Sequence, residues 1–264
     1  PSDLGEIFTP RHIVKTMVKL LNPKIGETMY DPFCGTGGML IVGYKHILDS
    51  MAHTELNIRR LQKETLFGTE LTKTASVAKM NMILAGDGHS NIKRDDSFEH
   101  PIDGKFDVVI TNFPFSQKTR YGDKYHIPSR NGDHISPQHC FRAVKQGGRM
   151  AFIAPEGVLV NTNQAYEAVR KYLIDNSNLK SVISLPRGAF EPYNRAKANI
   201  LFFTDCHYTS QAKHYWYFNV QNDGYTLDKK RERIEGGNDL EIVLSERNLE
   251  KQTEKFSTKV GITN

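Results

Sequence analysis

Short apolar runs alternate with longer stretches of helical period along most of this chain. Runs at 27–30, 66–69, 106–111, 149–154 and 179–185 are short, apolar and bounded by turn residues, which predicts buried parallel strands. Apolar positions at helical spacing predict helices at 38–49, 72–84, 137–145 and 163–175, each ending near Gly, Asn or Ser. Strand and helix in alternation predict a doubly wound α/β fold with a mostly parallel sheet. Two further runs, 199–204 and 214–220, follow without intervening helices and predict antiparallel strands at the C-terminal end of that sheet. Segments 116–136 and 186–198 carry neither period. The first mixes Lys118, Arg120, Lys124 and Arg130 with Asp123 and Asp133. It is longer than connections in compact domains usually are, and its composition predicts a mobile, unburied loop that orders on a polyanion. From Asn222 the chain turns polar, with Lys229, Lys230, Arg231 and Arg233 clustered. The expected division is therefore one α/β domain at 1–221 and a polar extension at 222–264, a solvated linker leading to a terminal helix.

Composition narrows the class without choosing a function. The chain has 264 residues, 38% hydrophobic and 25% charged, the balance of an ordinary globular protein. No apolar run approaches the roughly 20 residues of a membrane span, and the opening PSDLGEIFTP lacks the regions of a signal peptide, which predicts a cytoplasmic protein. Cys34, Cys140 and Cys206 are too scattered for a disulfide framework or a zinc site, so reduced thiols and no metal are expected. A net charge of +5 tolerates a polyanionic partner without requiring one. The first residue is not Met, which suggests a piece of a longer protein.

Candidate chemistry begins at Asp31-Pro32-Phe33-Cys34-Gly35-Thr36-Gly37-Gly38-Met39-Leu40, between a predicted strand and a predicted helix. Its glycines let the backbone turn sharply and approach a ligand. The dinucleotide spacing G-x-G-x-x-G fails, because position 40 is Leu, and Asp31 suits a cationic or amino-bearing ligand better than a pyrophosphate. Glu70 ends the next strand, where a carboxylate can accept from two ribose hydroxyls. Asp96 follows a third short strand, where an adenine amino group needs an acceptor. Asn112-Phe113-Pro114-Phe115 stands at the carboxyl end of the 106–111 strand. The Asn112 amide oxygen and the residue 113 carbonyl, restricted by Pro114, would offer two acceptors to one amino group, with Phe115 as a stacking face.

Here the chain resembles the S-adenosylmethionine-dependent DNA methyltransferases that modify amino groups. Their first motif is Asp-Pro-x-x-Gly-x-Gly-Gly and their catalytic motif Asn/Asp-Pro-Pro-Tyr/Phe, and the order found here is that of the gamma class. Gly5-Glu6-Ile7-Phe8-Thr9-Pro10-Arg11 is similar to the segment Gly-Glu-Phe/Tyr-Tyr/Phe-Thr-Pro-Arg of the methylation subunit of type I restriction-modification systems. Ala78 to Met82, Gly147 to Ala151, Pro155 to Leu159, Leu185 to Phe190 and Asn199 to Phe203 match that subunit in the same order. The resemblance implies a Rossmann-like methyltransferase fold over 1–221, without the helical N-terminal domain such subunits carry. It implies S-adenosyl-L-methionine as cofactor, held by Thr9, Pro10, Asp31, Phe33, Gly35, Gly37, Gly38, Glu70 and Asp96, with Thr9 and Pro10 also capping the helix that follows. Asn112, Phe113, Pro114 and Phe115 would carry methyl transfer to adenine N6. Lys118, Arg120, Arg187 and Arg195 would contact duplex DNA at phosphates, and Phe190 and Tyr193 would close on the flipped base. A specificity subunit, a second methylation subunit and a restriction subunit are the implied protein partners.

Two departures bear on activity. Phe113 replaces the family's first Pro, which would put an aromatic at the pocket rim and make Phe113→Pro a mild change, and Gly68-Thr69-Glu70 replaces Gly-Gln-Glu. The competing readings are a protein-glutamine methyltransferase, which calls for Tyr at 115 and no Thr-Pro-Arg segment, and a catalytically silent cofactor- or DNA-binding scaffold.

Overall fold

The computed structural model describes residues 8–87, 91–246 and 257–262, so Gly5, Glu6 and Ile7 of the N-terminal motif lie outside the described residues. Among them, strands β1 (Met29–Asp31), β2 (Leu66–Glu70), β3 (Asn91–Arg94), β4 (Phe106–Asn112) and β5 (Val144–Pro155) run parallel. With β6 (Asn178–Ser184), β7 (Ala198–Thr204), β8 (His214–Asn219) and β9 (Ser257–Gly261) they form one sheet in the order β3-β2-β1-β4-β5-β7-β6-β8-β9. Strand order reverses between β1 and β4, where a doubly wound sheet opens a crevice at the carboxyl ends of its strands.

Helices cover both faces, as a parallel sheet requires. On one face α1 (Arg11–Leu21), α2 (Gly38–Ser50), α4 (Thr74–Ala85) and α8 (Asp239–Glu246) pack Ile13, Met17, Leu40, Ile47, Ala78, Met82 and Val243 into one core. On the other, α5 (Gly132–Ala143) and α7 (Gln164–Asp175) supply Cys140, Phe141, Val169 and Leu173. Short helices α3 (Glu55–Arg60) and α6 (Glu156–Val160) complete the set. No helix among the described residues is long and apolar enough to cross a membrane.

Three expectations change here. Segment 116–136 is tied down by hydrogen bonds, with Thr119, Gly122, Tyr125 and the start of α5 buried and Lys118, Arg120, Lys124 and Arg130 left exposed. The α5 helix starts at Gly132 rather than 137, because Asn131 caps it by accepting from the Asp133 N–H at 3.0 Å, and Pro137 is accommodated inside it. Ahead of it, Thr119 N–H donates to the Arg130 carbonyl at 2.9 Å, and a Cβ on Gly122 would lie 1.5 Å from the Ser129 carbonyl oxygen. The described residues from Asn222 on join the main body: Asp223 is fully buried, α8 packs in the core and β9 pairs antiparallel with β8. The sheet ends in antiparallel pairings as expected, β7 with β5 and β6 and β9 with β8, but β8 itself crosses to the far side of β6 and pairs with it in parallel.

Gly68 shows how tightly the β2 end is packed. A Cβ there would lie 2.8 Å from Ile92 Cδ1, 2.9 Å from Leu40 Cδ1 and 3.0 Å from Cys34 Sγ. Gly68→Ala is expected to cost about 1–3 kcal/mol through overpacking, seen as a lower urea midpoint at unchanged slope. A midpoint equal to that of the parent would mean the core yields freely at this point.

Candidate functional site

A cleft of about 870 Å³ opens over the carboxyl ends of β1, β2 and β4. That is the size range of small-molecule sites. Asp31, the last residue of β1, is its buried anchor. Its Oδ1 accepts from the Thr111 hydroxyl at 2.6 Å and from the Phe33 N–H at 3.0 Å. Loss of solvent, with the Glu70 charge adding to it, pushes the Asp31 carboxyl up to about 7.

The turn after Asp31 is held from three sides. Cys34 N–H donates to the Thr69 carbonyl at 2.9 Å, Asn81 Nδ2 donates to the Thr36 carbonyl at 3.0 Å, and the Gly35 N–H donates to Glu70 Oε2 at 3.1 Å. Gly37 adopts φ 84° as it enters α2, a left-handed conformation that glycine takes without strain. Gly35 and Gly38 line the cleft, and a Cβ on either would meet nothing within 4 Å, so the space beside them is open. Gly37 instead backs onto Ala78, where an added Cβ would sit 3.6 Å from the Ala78 Cβ. Glu70 keeps Oε1 on the Thr72 N–H and hydroxyl, at 2.8 and 2.7 Å. Asp96 lines the same wall, its Oδ1 accepting from the Phe98 N–H, and the rings of Phe33 and Phe98 stand 5.2 Å apart beside it.

Asn112, at the tip of β4, faces the cleft from the other side. Its Nδ2 donates to Thr9 Oγ1 at 3.0 Å, and its Oδ1 is buried without a hydrogen-bond partner. A buried acceptor left empty costs stability unless something else fills it. Pro114 also lines the cleft. Thr9 does not cap α1: Pro10 takes the N-cap position without a side-chain cap, and its carbonyl receives the Ile13 and Val14 N–H groups.

Three aromatic placements differ from expectation. Phe113 is 0% exposed and sits in the core, 5.8 Å from the Phe152 ring and 5.9 Å from the Phe115 ring, because the chain leaving β4 turns that side chain inward. It is not at the rim, and Phe115 packs half-buried against the core rather than lining the cleft. Phe190 is 2% exposed in the core. Its carbonyl accepts from the Tyr193 N–H at 2.9 Å, so Phe190 anchors the turn on which Tyr193 projects over the cleft, 5.9 Å from the Phe8 ring. Lys118 and Arg120 lie at the mouth. Arg187 and Arg195 stand outside the cleft lining, in ion pairs with Glu156 and Glu191. Thr111, Thr72 and Asn81 carry weight here that the sequence did not assign; the place of Thr111 next to Asn112, and of Asn81 within the matched 78–82 segment, could have signalled two of them. Among the described residues no cluster of His, Cys, Asp and Glu is arranged to hold a metal ion.

With this geometry in hand, the comparisons are specific. Residues 1–264 match the family described as N-6 DNA Methylase. The type I restriction enzyme EcoEI methylase subunit of Escherichia coli is 31% identical over 223 residues, 81% of this chain and 44% of that protein. A chain solved in work on complex assembly and conformational transition of the type I R-M system is 29% identical, with a TM-score of 0.85 over 97% of this chain and 56% of that one. The type I restriction enzyme EcoKI M protein is 25% identical, with a TM-score of 0.76 over 88% of this chain and 52% of that one. The chain thus spans about half the length of the relatives it matches.

The raised Asp31 carboxyl sets a pH test. Its stabilising contribution is complete below the ordinary Asp range and is lost as pH rises toward 7. Asp31→Asn, which keeps an acceptor for Thr111 and Phe33, should therefore gain on the parent between pH 4 and 7, by up to about 1.4 kcal/mol per pH unit. Parallel urea-stability curves for the two proteins would refute it. At position 113, Phe113→Pro should cost about 3–5 kcal/mol, the range for emptying an aromatic core site. Thermal denaturation reads this, and an unchanged midpoint would put the ring outside the core.

Proposed function

The chain belongs to the N-6 DNA Methylase family, and from that membership and the geometry of the cleft we propose that it transfers a methyl group from S-adenosylmethionine to adenine N6 in DNA. We further propose that it does so as the methylation subunit of a type I restriction-modification assembly. The observation that carries the reading is the buried, unpartnered Asn112 Oδ1 at the cleft wall. It is an acceptor waiting for a donor such as an exocyclic amino group.

The residues present suit the cofactor. Asp31, Glu70, Asp95 and Asp96 make an acceptor-rich wall beside open glycine backbone, which matches a cationic ligand with ribose hydroxyls and an adenine amino group better than a pyrophosphate. Glu70 retains lone pairs that would take ribose hydroxyls, Asp96 would accept from the amino group, and Phe33 and Phe98 would wall the ring. S-adenosylmethionine, when bound, would supply an electrophilic methyl group whose C–S bond breaks to leave a neutral thioether, with one proton passing from the methylated nitrogen to solvent.

The target amine is a poor nucleophile because its lone pair is delocalised into the base. Asn112 Oδ1 and the residue 113 carbonyl accept its two hydrogens, which draws the lone pair out of conjugation and stabilises the positive charge that develops on nitrogen. The base reaches them by leaving the duplex stack, with Tyr193 at the opening and Lys118 and Arg120 on the phosphates. Because Phe113 is a core residue rather than an aromatic at the rim, nothing at that position favours a silent scaffold. Phe115 and the Thr9-Pro10-Arg11 segment stand against a protein-glutamine methyltransferase. A specificity subunit, a second methylation subunit and a restriction subunit are the proposed partners.

The test uses the full-length subunit with its specificity partner. Asn112→Ala should lower kcat for N6-methyladenine formation by about 10²–10³-fold, the usual loss for one acceptor or donor at the reacting centre, while cofactor affinity by calorimetry stays close to that of the parent. Undiminished methylation by the variant, or label found in protein rather than in adenine, would sink the proposal.

A further inference from the structure

A terminal amide torsion is broad and nearly two-fold, so an Asn side chain does not by itself fix where its oxygen points. At Asn112 one contact does so. Nδ2 is held by Thr9 Oγ1 at 3.0 Å, across 103 residues of sequence, which leaves Oδ1 as the buried amide atom without a partner on a residue that lines the cleft.

Thr9 is itself firmly supported. It directly precedes Pro10 and α1, whose first turn is tied on two sides. Arg11 Nη1 donates to the Gly38 carbonyl at 3.1 Å, reaching the glycine turn. His12 Nε2 lies 2.8 Å from Asp223 Oδ2 and stacks on Tyr225 at 4.5 Å, and the buried Asp223 also receives Arg231. A hydroxyl mounted this way can hold a side chain in one orientation.

We propose that Thr9 is a positioning residue for Asn112: its hydroxyl sets the amide so that Oδ1 meets the adenine amino group. This rests on the methyl-transfer reading above. It differs from the role the sequence resemblance implies for Thr9, a contact to the cofactor, and the two make opposite kinetic demands. A cofactor ligand, once lost, raises the cofactor Kd and is rescued by saturation. A positioning residue, once lost, lowers kcat at saturation, because misplacing an acceptor at the reacting atom costs rate rather than binding.

The experiment compares Thr9→Val, Thr9→Ser and Asn112→Ala in the full-length subunit assembled with its specificity partner on target duplex DNA. Thr9→Val is isosteric and leaves Nδ2 without its acceptor; kcat should fall about ten- to a hundredfold, with S-adenosylmethionine affinity by calorimetry within about twofold of the parent. Thr9→Ser keeps the hydroxyl and should return kcat to within about threefold. If Thr9→Val folds poorly by thermal denaturation, Thr9→Ala carries the same expectation. Parental kcat in Thr9→Val beside an inactive Asn112→Ala would overturn this inference alone. So would a raised cofactor Kd with unchanged saturated kcat, or a Thr9→Ser protein as slow as Thr9→Val. Full activity in Asn112→Ala would instead bring down the methyl-transfer reading and this inference with it.

Discussion

Everything in the cleft depends on a single buried bond between neighbouring strands, from the Thr111 hydroxyl to Asp31 Oδ1 at 2.6 Å. It joins the ends of β1 and β4 where the strand order reverses, the one place a doubly wound sheet leaves its crevice. Asp31 starts the glycine turn and Thr111 precedes Asn112. Because side chains alternate along a strand, turning Thr111 toward Asp31 leaves Asn112 free to face elsewhere. One bond thus sets the glycine turn and the candidate catalytic amide in fixed relation. Burial makes the Asp31 charge unfavourable in the free protein, so a cationic ligand beside it is favoured by the charge it relieves.

A division of labour among aromatic residues surrounds this point. Phe113 and Phe190 are core residues, while their sequence neighbours Pro114 and Tyr193 reach the cleft. The buried ring in each pair fixes the backbone from which its neighbour acts. The same logic governs segment 116–131. The carboxylate of Asp133 accepts from the Ser116 N–H at 2.7 Å, and the Gln138 side chain exchanges two hydrogen bonds with the Ile127 backbone. A stretch rich in polar residues is thereby folded down, with Lys118 and Arg120 left outward at the mouth.

What could be read from the sequence was local. The strand, glycine turn and helix around Asp31 to Gly38 are adjacent in the chain, and turn chemistry announces them. The position of Asn112 at a strand end followed from a plain apolar run. Phe113 was not legible, because β4 is buried on both faces and offers no alternation from which to project a side chain beyond its end. Segment 116–136 was misjudged because its satisfaction comes from side chains up to 17 residues away, Asp133 on Ser116 for one, which composition does not reveal. β9 was missed for a related reason. Ser257–Gly261 has little apolar content and is a strand only because β8 offers it an edge.

The way the first turn of α1 is fastened has a consequence for how the molecule comes into being. The wall that carries Asn112 is completed by Thr9, 103 positions away, and Thr9 is steadied through His12 by Asp223, 211 positions from it. Contacts of such sequence separation form late, since the entropy of closing long loops must be met before they stabilise anything. A chain still emerging from synthesis can build the parallel half of its sheet and the glycine turn well before residue 223 exists. The support of the amide wall therefore waits on residue 223, whereas the bonds that fix the glycine turn to β2 and α4 lie within residues 34–81.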